Sequence, residues 1–271
     1  MSLVTALASA APWRVRELGR LDAVVRRRHP LAVRVGVVGV VGGAGASVVA
    51  GMAASVLTTR GGNRVLLVDA SGRRRSALWH SGVPSHHGAP TTPEAPEEDE
   101  GRVRARRFEQ VVAGLPRSAS GTYGMGLGDD AEARWWQTVA PITRFFDHTV
   151  TDWGTGGSGA LGTVAASSTV VCVVAPAERS AIQHAVDVAA TVREPGAAPV
   201  VCVTDPHRTS TPAISQMCDL LPFPTVRFAH DRAHGDASLA PGRRLGSATR
   251  LSALRLAAAI VEAAEPRRVS S

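Results

Sequence analysis

The sequence contains no lysine, since all 30 residues of the Lys and Arg class are arginine. Chemistry that needs a lysine is therefore excluded: a Schiff base, a lysine general base, or a lysine that holds nucleotide phosphates. The 271 residues include 23 acidic ones, which leaves a formal net charge of +7. With 44% hydrophobic residues, the chain can form one large α/β domain or two small ones, and disorder throughout is excluded.

Cysteine is scarce, and long hydrophobic runs are absent. Cys172, Cys202 and Cys218 show neither a CxxC motif nor Cys/His spacing, and the first two lie in valine-rich runs. We predict small buried side chains in a reducing compartment. No run approaches 18 apolar residues, and residues 1–11 lack the positive start of a signal peptide. We therefore expect a cytoplasmic protein, whose membrane contact, if any, is peripheral at the inner face of the plasma membrane.

The positive charge is concentrated at the two ends. Residues 1–34 carry seven arginines against two acids, and residues 227–271 carry eight against four, while the body is close to neutral. Basic ends suggest contact with an acidic surface such as a membrane, nucleic acid or an acidic partner, more than a nucleic-acid-binding core. A composition bias that merely solvates the ends is the alternative. The candidate contact residues are Arg26, Arg27, Arg28, Arg243 and Arg244.

Residues 1–30 are predicted to form a separate basic amphipathic arm. After Pro12, apolar residues recur at helical spacing while the arginines fall mostly elsewhere; the apolar ones are Val15, Leu18, Leu21 and Val25. Pro30 is expected to end this segment. Such a helix can lie on anionic lipid, dock a partner, or pack on its own domain.

From Arg34 onward, strands and helices alternate along residues 31–265. The strands are continuous apolar runs, which indicates a parallel sheet that is covered on both faces. The predicted strands are 33–41, 65–68, 111–112, 149–151, 169–174, 199–204 and 225–228, and the predicted helices are 48–59, 131–146, 180–192 and 248–264. We predict a doubly wound, mostly parallel three-layer α/β/α sandwich, with ligands at the carboxyl ends of the strands.

Residues 72–107 interrupt this alternation, and residues 266–271 form a short tail. The segment joins an arginine run, a Pro/His/Gly/Thr stretch, four consecutive acids and further arginines, which predicts a low-complexity surface insertion. Its charge blocks can fold back on each other, bind a partner, or simply be solvated. His86 and His87 have no Cys or carboxylate at ligand spacing, so we predict no metal site there.

A glycine-rich turn follows the first predicted strand. It comprises Gly42, Gly43, Ala44, Gly45, Ala46 and Ser47, and a helix follows it. Successive backbone N–H groups and a helix N-terminus can cradle an anion in this context. Asp69 and Asp152 each end a predicted strand. The sequence therefore predicts a phosphate-binding cradle with two carboxylates near it, although such glycines also permit tight strand-to-helix packing.

Over residues 33–264, the order of this turn, Arg60 to Asp69, Asp152 to Gly156 and the last helix resembles the ParA/MinD family of deviant P-loop ATPases. The resemblance implies a P-loop NTPase-like fold with a nucleotide site at residues 42–47, Asp69 and Asp152. It also implies that Ser47 and Asp152 would hold Mg²⁺ if a nucleotide binds. Val41 and Ala46 stand where the family pattern Lys-Gly-Gly-x-Gly-Lys-Ser/Thr has its two lysines.

Two further positions depart from the family pattern. The second strand ends Asp69-Ala70-Ser71, where the family has Asp-x-Asp, so a hydroxyl replaces the carboxylate that helps to position water. The chain also continues from Thr204 to Arg208 without the asparagine that relatives offer to adenine. The resemblance therefore implies a pseudo-ATPase with no catalytic residue of its own and no resident cofactor. The alternative is an ATPase that binds Mg-ATP and hydrolyses it slowly, with arginines from 73–75 or Arg117 replacing the lysines.

The resemblance also implies a setting. ParA/MinD-like proteins position cellular machinery, which suggests a scaffold or regulatory component with protein partners, including a homodimer or a heterodimer with a MinD-like relative. The stretch Arg26 to Leu31 is similar to MinD-like proteins of actinobacterial type VII secretion. Loss of the P-loop lysine is similar to members that localise pilus machinery. Nonspecific DNA binding through arginines 243, 244, 250 and 255 is a third hypothesis, as in chromosome-partitioning relatives.

Overall fold

The computed structural model describes residues 3–84, 107–156, 160–234 and 245–265, with side chains described from residue 13 onward. Within these ranges, seven parallel strands form one sheet in the order β3-β2-β4-β1-β5-β6-β7. Their bounds are β1 Val33–Gly39, β2 Val65–Asp69, β3 Tyr123–Gly126, β4 His148–Asp152, β5 Val170–Pro176, β6 Ala198–Thr204 and β7 Thr225–Phe228. Because all seven run in one direction, their carboxyl ends share one edge of the sheet.

Helices cover both faces of the sheet. The α-helices are α1 Leu3–Val25, α2 Ala46–Thr59, α3 Ala77–Ser81, α4 Phe108–Val112, α5 Ala131–Arg134, α6 Ala160–Ser167, α7 Arg179–Arg193, α8 Pro212–Asp219 and α9 Ser247–Ala263. One buried cluster joins α1, α2, α3 and α9 to the sheet, and a second joins α4, α6, α7 and α8 to its other face. The predicted three-layer α/β/α architecture is confirmed.

The central strands are apolar throughout because both of their faces are covered. All seven residues of β5 are buried, and successive side chains alternate between the two clusters. Cys172 and Cys202 lie on neighbouring strands in one cluster, and Cys218 lies in the other. All three cysteines are free and buried, as predicted.

The prediction of a strand at residues 111–112 is wrong. These residues end α4, and the sheet resumes later at β3, whose sequence is Tyr-Gly-Met-Gly. Two glycines in four residues conceal the strand, because glycine weakens strand propensity. The predicted helix 131–146 is also divided: α5 leads into a π-helical turn at Trp135–Val139 and a 3-10 helix at Ala140–Phe145. Pro141 lacks a backbone N–H, so a regular helix cannot continue through it.

The predicted insertion is in part packed structure. Residues 72–84 contain α3, whose Ala77 and Leu78 are buried in the cluster that includes α2. The sequence did not indicate this helix, because its five residues are too few to show a helical period. Residues 85–106, with His86 and His87, and the tail 266–271 lie outside the described residues.

The first helix packs beside the last one. Leu21, Val24 and Val25 are buried in the cluster that contains the apolar face of α9. Earlier in α1, the apolar side chains of Val15 and Leu18 are exposed. In the described part of the chain, no helix has the length and apolar character that a membrane span needs.

Candidate functional site

The glycine turn lies at the carboxyl edge of the sheet, between β1 and α2. Gly43 and Gly45 adopt the left-handed conformation, with φ of 81° and 88°. A Cβ atom built on Gly42 or Gly43 would meet no atom within 4 Å, so this side of the turn is open. The turn therefore has the backbone shape and the access that an anion cradle needs.

A side chain from a distant strand holds the turn in place. The hydroxyl of Thr204, at the end of β6, donates to the carbonyl oxygen of Ala44 at 2.6 Å and lies 3.3 Å from that of Ala175. Ala44 itself is buried. In the sequence, Thr204 ends the predicted strand 199–204 and begins the segment that lacks an asparagine. Its position as the last residue of a valine-rich strand is the one signal that could have pointed to this role.

Asp152 ends β4, between the strands that carry the glycine turn and Asp69. Its side chain is fully buried and accepts hydrogen bonds from the Gly154 N–H at 3.0 Å and the Ala77 N–H at 3.3 Å. The Ser47 hydroxyl also hydrogen-bonds to this carboxylate. Burial raises the pKa of Asp152 above its usual value. The three hydrogen bonds act in the opposite direction and reduce this rise without cancelling it. The predicted pair of Ser47 and Asp152 is therefore brought together.

Asp69 lies opposite Asp152 in the register of β2 and β4, and its negative charge also raises the pKa of Asp152. One oxygen of Asp69, Oδ1, accepts both the backbone N–H and the hydroxyl of Ser71, at 2.9 and 2.7 Å. The hydroxyl that replaces the expected second carboxylate is thus turned back onto Asp69. This arrangement offers no additional carboxylate to orient a water molecule.

The two lysine positions offer no cation. Ala46 is the first residue of α2 and is buried, whereas Val41 is 40% exposed at the start of the turn. Of the proposed replacements, Arg73 lies at the same edge of the sheet, and its Nη2 donates to Thr155 Oγ1 at 3.1 Å. Arg117 lies at the other edge: it bonds to the Gly121 carbonyl at 3.1 Å and stacks on Tyr123, the first residue of β3.

The segment after β6 contacts its own loop and the end of β7, where the Asp205 N–H donates to the Phe228 carbonyl oxygen at 3.0 Å. The Asp205 Oδ1 atom accepts the backbone N–H of Thr209 at 2.7 Å, and Arg208 has a positive φ of 58°. The ring Nδ1 of His230 lies 3.0 Å from the carbonyl oxygen of Pro206. The Asp205 carboxylate therefore stabilises the loop in which it lies.

The metal prediction was conditional on a bound nucleotide. In the described ranges, no group of three or more His, Cys, Asp and Glu side chains could hold a metal ion by itself. Ser47 and Asp152 provide one hydroxyl and one carboxylate, which fits Mg²⁺ only where phosphate and water oxygens complete its octahedral shell. These two residues would hold the ion beside a nucleotide in the glycine turn, and the ion would neutralise phosphate charge there.

The predicted surface arginines fall into three groups. Arg26 pairs with Asp22 at 2.7 Å, and Arg27 pairs with Glu265 at 2.9 Å. Arg28 is exposed after the end of α1. Arg243 and Arg244 lie outside the described residues.

Known proteins match this chain by their structures and not by sequence. No protein-family model matches the sequence, and no curated protein matches it either. The cell division ATPase MinD of Pyrococcus furiosus matches with a TM-score of 0.62 at 17% identity, over 86% of this chain and 99% of that one. A ParA family ATPase from Chlorobium tepidum matches with a TM-score of 0.59 at 15% identity, over 86% and 98%.

A MinC:MinD cell division protein complex from Aquifex aeolicus also contains a similar chain, with a TM-score of 0.57 at 14% identity, over 83% of this chain and 94% of that one. At identities this low, the matches show a shared fold, and any activity has to be argued from the residues of the site. The chain has the P-loop NTPase-like α/β fold of the MinD and ParA ATPases.

Proposed function

We propose that this protein is a catalytically degenerate MinD/ParA-like component of a larger assembly, in which it positions, scaffolds or regulates other proteins. The observation that carries the proposal is Ala46. Its methyl group stands at the head of α2, in an otherwise intact and open glycine turn, where the resemblance expects the phosphate-binding lysine. The cradle has kept its backbone shape and has lost its charge.

The size of the expected defect supports a loss of turnover. Phosphoryl transfer depends on electrostatic clamping and positioning, and removing one charge-stabilising donor costs about 10²- to 10³-fold in rate. Here Val41 and Ala46 remove two cations, and Ser71 replaces a carboxylate. We infer that little hydrolysis remains.

Protein partners are supported by the kind of structure that the chain resembles. Its neighbours include a MinD chain solved together with MinC. We propose a cytoplasmic assembly of the secretion or pilus type, built either on a homodimer or on a heterodimer with a MinD-like relative. Crosslinking in native cells, followed by purification of the full chain and mass spectrometry, would identify these partners; recovery of the chain alone, as a monomer, would contradict the scaffold role.

The catalytic half of the proposal is tested by restoring the missing groups. We expect the wild-type chain to release no phosphate from Mg-ATP above a no-protein control. We expect the variant Val41→Lys/Ala46→Lys/Ser71→Asp to gain measurable hydrolysis, because the turn, Ser47 and Asp152 are already in place. Wild-type turnover that disappears in Ser47→Ala would contradict the pseudo-ATPase proposal.

One contact favours a second candidate, an ATPase that binds Mg-ATP and hydrolyses it slowly. Arg73 donates to Thr155, which follows β4, so an arginine is present at the edge of the sheet where the glycine turn lies. In this case, Mg-ATP binding measured by calorimetry would weaken strongly in Arg73→Ala and stay unchanged in Arg74→Ala, its exposed neighbour. Equal affinities of the two variants would remove Arg73 from the site.

The DNA-binding hypothesis has less support from the described residues, because Arg255 is committed to Glu17 through bonds of 2.9 and 2.6 Å. Binding to DNA would weaken steeply between about 50 and 200 mM salt, because counterions are released when arginines contact phosphates. DNA binding whose affinity does not depend on salt concentration, or no DNA binding at all, would exclude this function.

A further inference from the structure

The strand β7 is the last strand at one edge of the sheet in the described ranges. Its inner side faces β6, because residues in and directly after β6 donate to the carbonyl oxygens of Pro224 and Phe228, at 2.8 and 3.0 Å. Alternate residues of a strand face opposite sides, so the backbone groups of Thr225 and Arg227 point outward. The Arg227 carbonyl oxygen accepts the Ser252 hydroxyl of α9 at 2.7 Å. The N–H and carbonyl of Thr225 and the N–H of Arg227 remain along this outer edge.

The opposite edge of the sheet is covered by the chain itself. Tyr123 of β3 forms an antiparallel bridge with Arg117, and the Gly124 N–H donates to the Pro116 carbonyl oxygen at 2.9 Å. Proteins usually protect such edges, since outward N–H and carbonyl groups are a template for an additional strand. In the part of the chain that the structure describes, no segment pairs with the outer edge of β7 in this way.

A groove of about 410 Å³ lies against this outer edge. It is lined by β7, by α1 and α9 of one helical layer, and by the end of α8 in the other layer. Because both layers contribute, the groove lies beyond the edge of the sheet, where an eighth strand would lie. Its volume is within the range of binding clefts, about 300 to 1,000 Å³. The name β7 groove is used below for the space between Leu21, Asp219, Thr225, Val226, Arg227 and Ala258.

The two walls of the β7 groove differ in chemistry. On the side of α1 and α9, the side chains of Leu21, Val226 and Ala258 are buried and apolar. On the side of α8, Arg227 pairs with Asp219 at 3.5 Å, and both side chains are largely exposed. Successive side chains of a strand point to opposite faces. A strand that fills the groove would therefore alternate, with apolar residues toward α9 and polar residues toward the ion pair.

We propose that the β7 groove binds an extended segment of a partner protein, which joins the sheet as an eighth strand. The outward backbone groups of Thr225 and Arg227 would bind the backbone of the segment, and the apolar wall would accept its alternate side chains. A single strand can enter between the helices that wall the groove. A second copy of this chain would bring its own α1 and α8 against these walls, so a flexible segment is the better occupant.

The β7 groove is separate from the candidate nucleotide site. In the order of the sheet, β7 is three strands from β1, which leads into the glycine turn. The proposal gives the scaffold role a surface that can hold a partner. Its test uses no nucleotide, so it can fail while the proposed loss of ATPase activity stands.

A fluorescent heptapeptide, Ser-Thr-Val-Thr-Val-Thr-Ser, tests the proposal by fluorescence anisotropy with the full chain. The peptide alternates apolar and polar residues as the two walls require. We expect binding, and we expect NMR to show slower hydrogen exchange of the Thr225 and Arg227 amides, because these groups would be paired. The Val226 amide faces β6 and should exchange as in the free chain. No binding at about 1 mM peptide would overturn the proposal.

Arg227→Pro and Arg227→Gln are the matched variants. Proline removes the outward N–H, which an edge strand tolerates, and we expect peptide binding to weaken about tenfold. Glutamine keeps the N–H and removes the guanidinium, and we expect less than about a twofold change, because the ion pair with Asp219 is exposed. Equal affinities of the two variants would overturn the proposal. Circular dichroism verifies that both variants are folded.

Modified peptides give a second test that uses only the wild-type chain. N-methylation of the two valines blocks one edge of the peptide, and N-methylation of the three threonines blocks the other. A strand pairs with β7 through one edge, so we expect one modified peptide to bind about tenfold more weakly than the other. Equal affinities would mean that side chains alone make the contact, and would contradict strand addition.

Other occupants of the groove would be recognised in the same experiments. If the Arg227 amide of the free chain is already protected at low protein concentration, a segment of this chain covers the edge. If the wild type is a dimer and Arg227→Pro is a monomer, a second copy covers it. Either result would overturn the proposal of a partner segment.

Discussion

Gly51 of α2 lies directly against the backbone of Ala77 in α3. A Cβ atom at position 51 would stand 2.9 Å from the Ala77 carbonyl oxygen and 2.9 Å from His80 Cβ. Backbone cannot move as freely as a side-chain end, so the two helices would have to separate. We expect Gly51→Ala to destabilise the protein by about 1 to 2 kcal/mol, despite the better helix propensity of alanine.

The matched control is Gly162→Ala in α6, where a Cβ atom would meet nothing within 4 Å. Here only the propensity gain remains, and we expect stabilisation by about 0.5 to 1 kcal/mol. Urea denaturation of the two variants measures both effects. A Gly51→Ala variant as stable as Gly162→Ala would show that α3 does not pack as described.

Thr204 provides a second prediction, because its hydroxyl fastens the glycine turn. We expect Thr204→Val to increase hydrogen exchange of the backbone amides of residues 42–47 and to cost about 1 kcal/mol of stability. Thr204→Ser keeps the hydroxyl and should protect these amides as the wild type does. Unchanged exchange in Thr204→Val would mean that the turn is held by other contacts.

The buried carboxyl of Asp152 should affect stability through pH. Burial holds its pKa above the usual value, so the folded state retains this proton more strongly than the unfolded state does. Its contribution to stability therefore falls as pH rises from the ordinary carboxyl range, near 4, through the raised pKa. Asp152→Asn cannot ionise. We expect the stability of the variant relative to wild type to increase through this window.

Unfolding free energies at a series of pH values measure this difference. Asp129→Asn removes the same charge from an exposed position and serves as the control. A constant difference between wild type and Asp152→Asn across the pH range would contradict the prediction.

His148 should produce the opposite slope. It is buried at the start of β4, and burial is the main reason that its pKa is lowered to about 4. His29, whose ring centroid is 6.4 Å away, lowers the pKa further, and Asp147 raises it. Between pH 6.5 and about 4, the unfolded state binds the proton and the folded state does not. Stability is thus lost as pH falls through this range, by up to about 3 kcal/mol.

We expect His148→Phe to fill the same space and to remove most of this acid-side loss, because neither ring nitrogen of His148 has a hydrogen-bond partner. His184→Phe at an exposed position of α7 should keep the wild-type slope. Thermal melting between pH 4 and 7 compares the variants. An unaltered slope in His148→Phe would assign the acid sensitivity to other groups.

The sheet was predictable where its strands are apolar on both faces. β5 and β6 are valine-rich and fully or almost fully buried, so their composition alone indicates their place. β3 was not predictable, since Tyr-Gly-Met-Gly gains its strand geometry from pairing with β2. Five-residue α3 depends in the same way on packing against α2. Short elements are decided by tertiary contacts, because their own propensities are too weak.

The candidate site was predictable in outline for a topological reason. Parallel strands bring their carboxyl ends together, so residues that end β1, β2 and β4 had to meet, and Asp69, Asp152 and Ser47 do. The choice between Arg73 and Arg117 was not predictable. Both lie in connecting segments of irregular sequence, and only the folded chain shows that they are at opposite edges of the sheet.

The sequence by itself determined that the chain is an α/β sandwich, that it has a glycine turn, and that no lysine can serve that turn. These follow from composition and from the period of apolar residues. The tertiary structure alone decided that Thr204 fastens the turn and that Ser71 bonds to Asp69. It also decided that Arg255 of α9 pairs with Glu17 of α1. The Thr204 and Arg255 contacts join residues that are far apart in the chain, and no local sequence pattern encodes the distance between such residues in space.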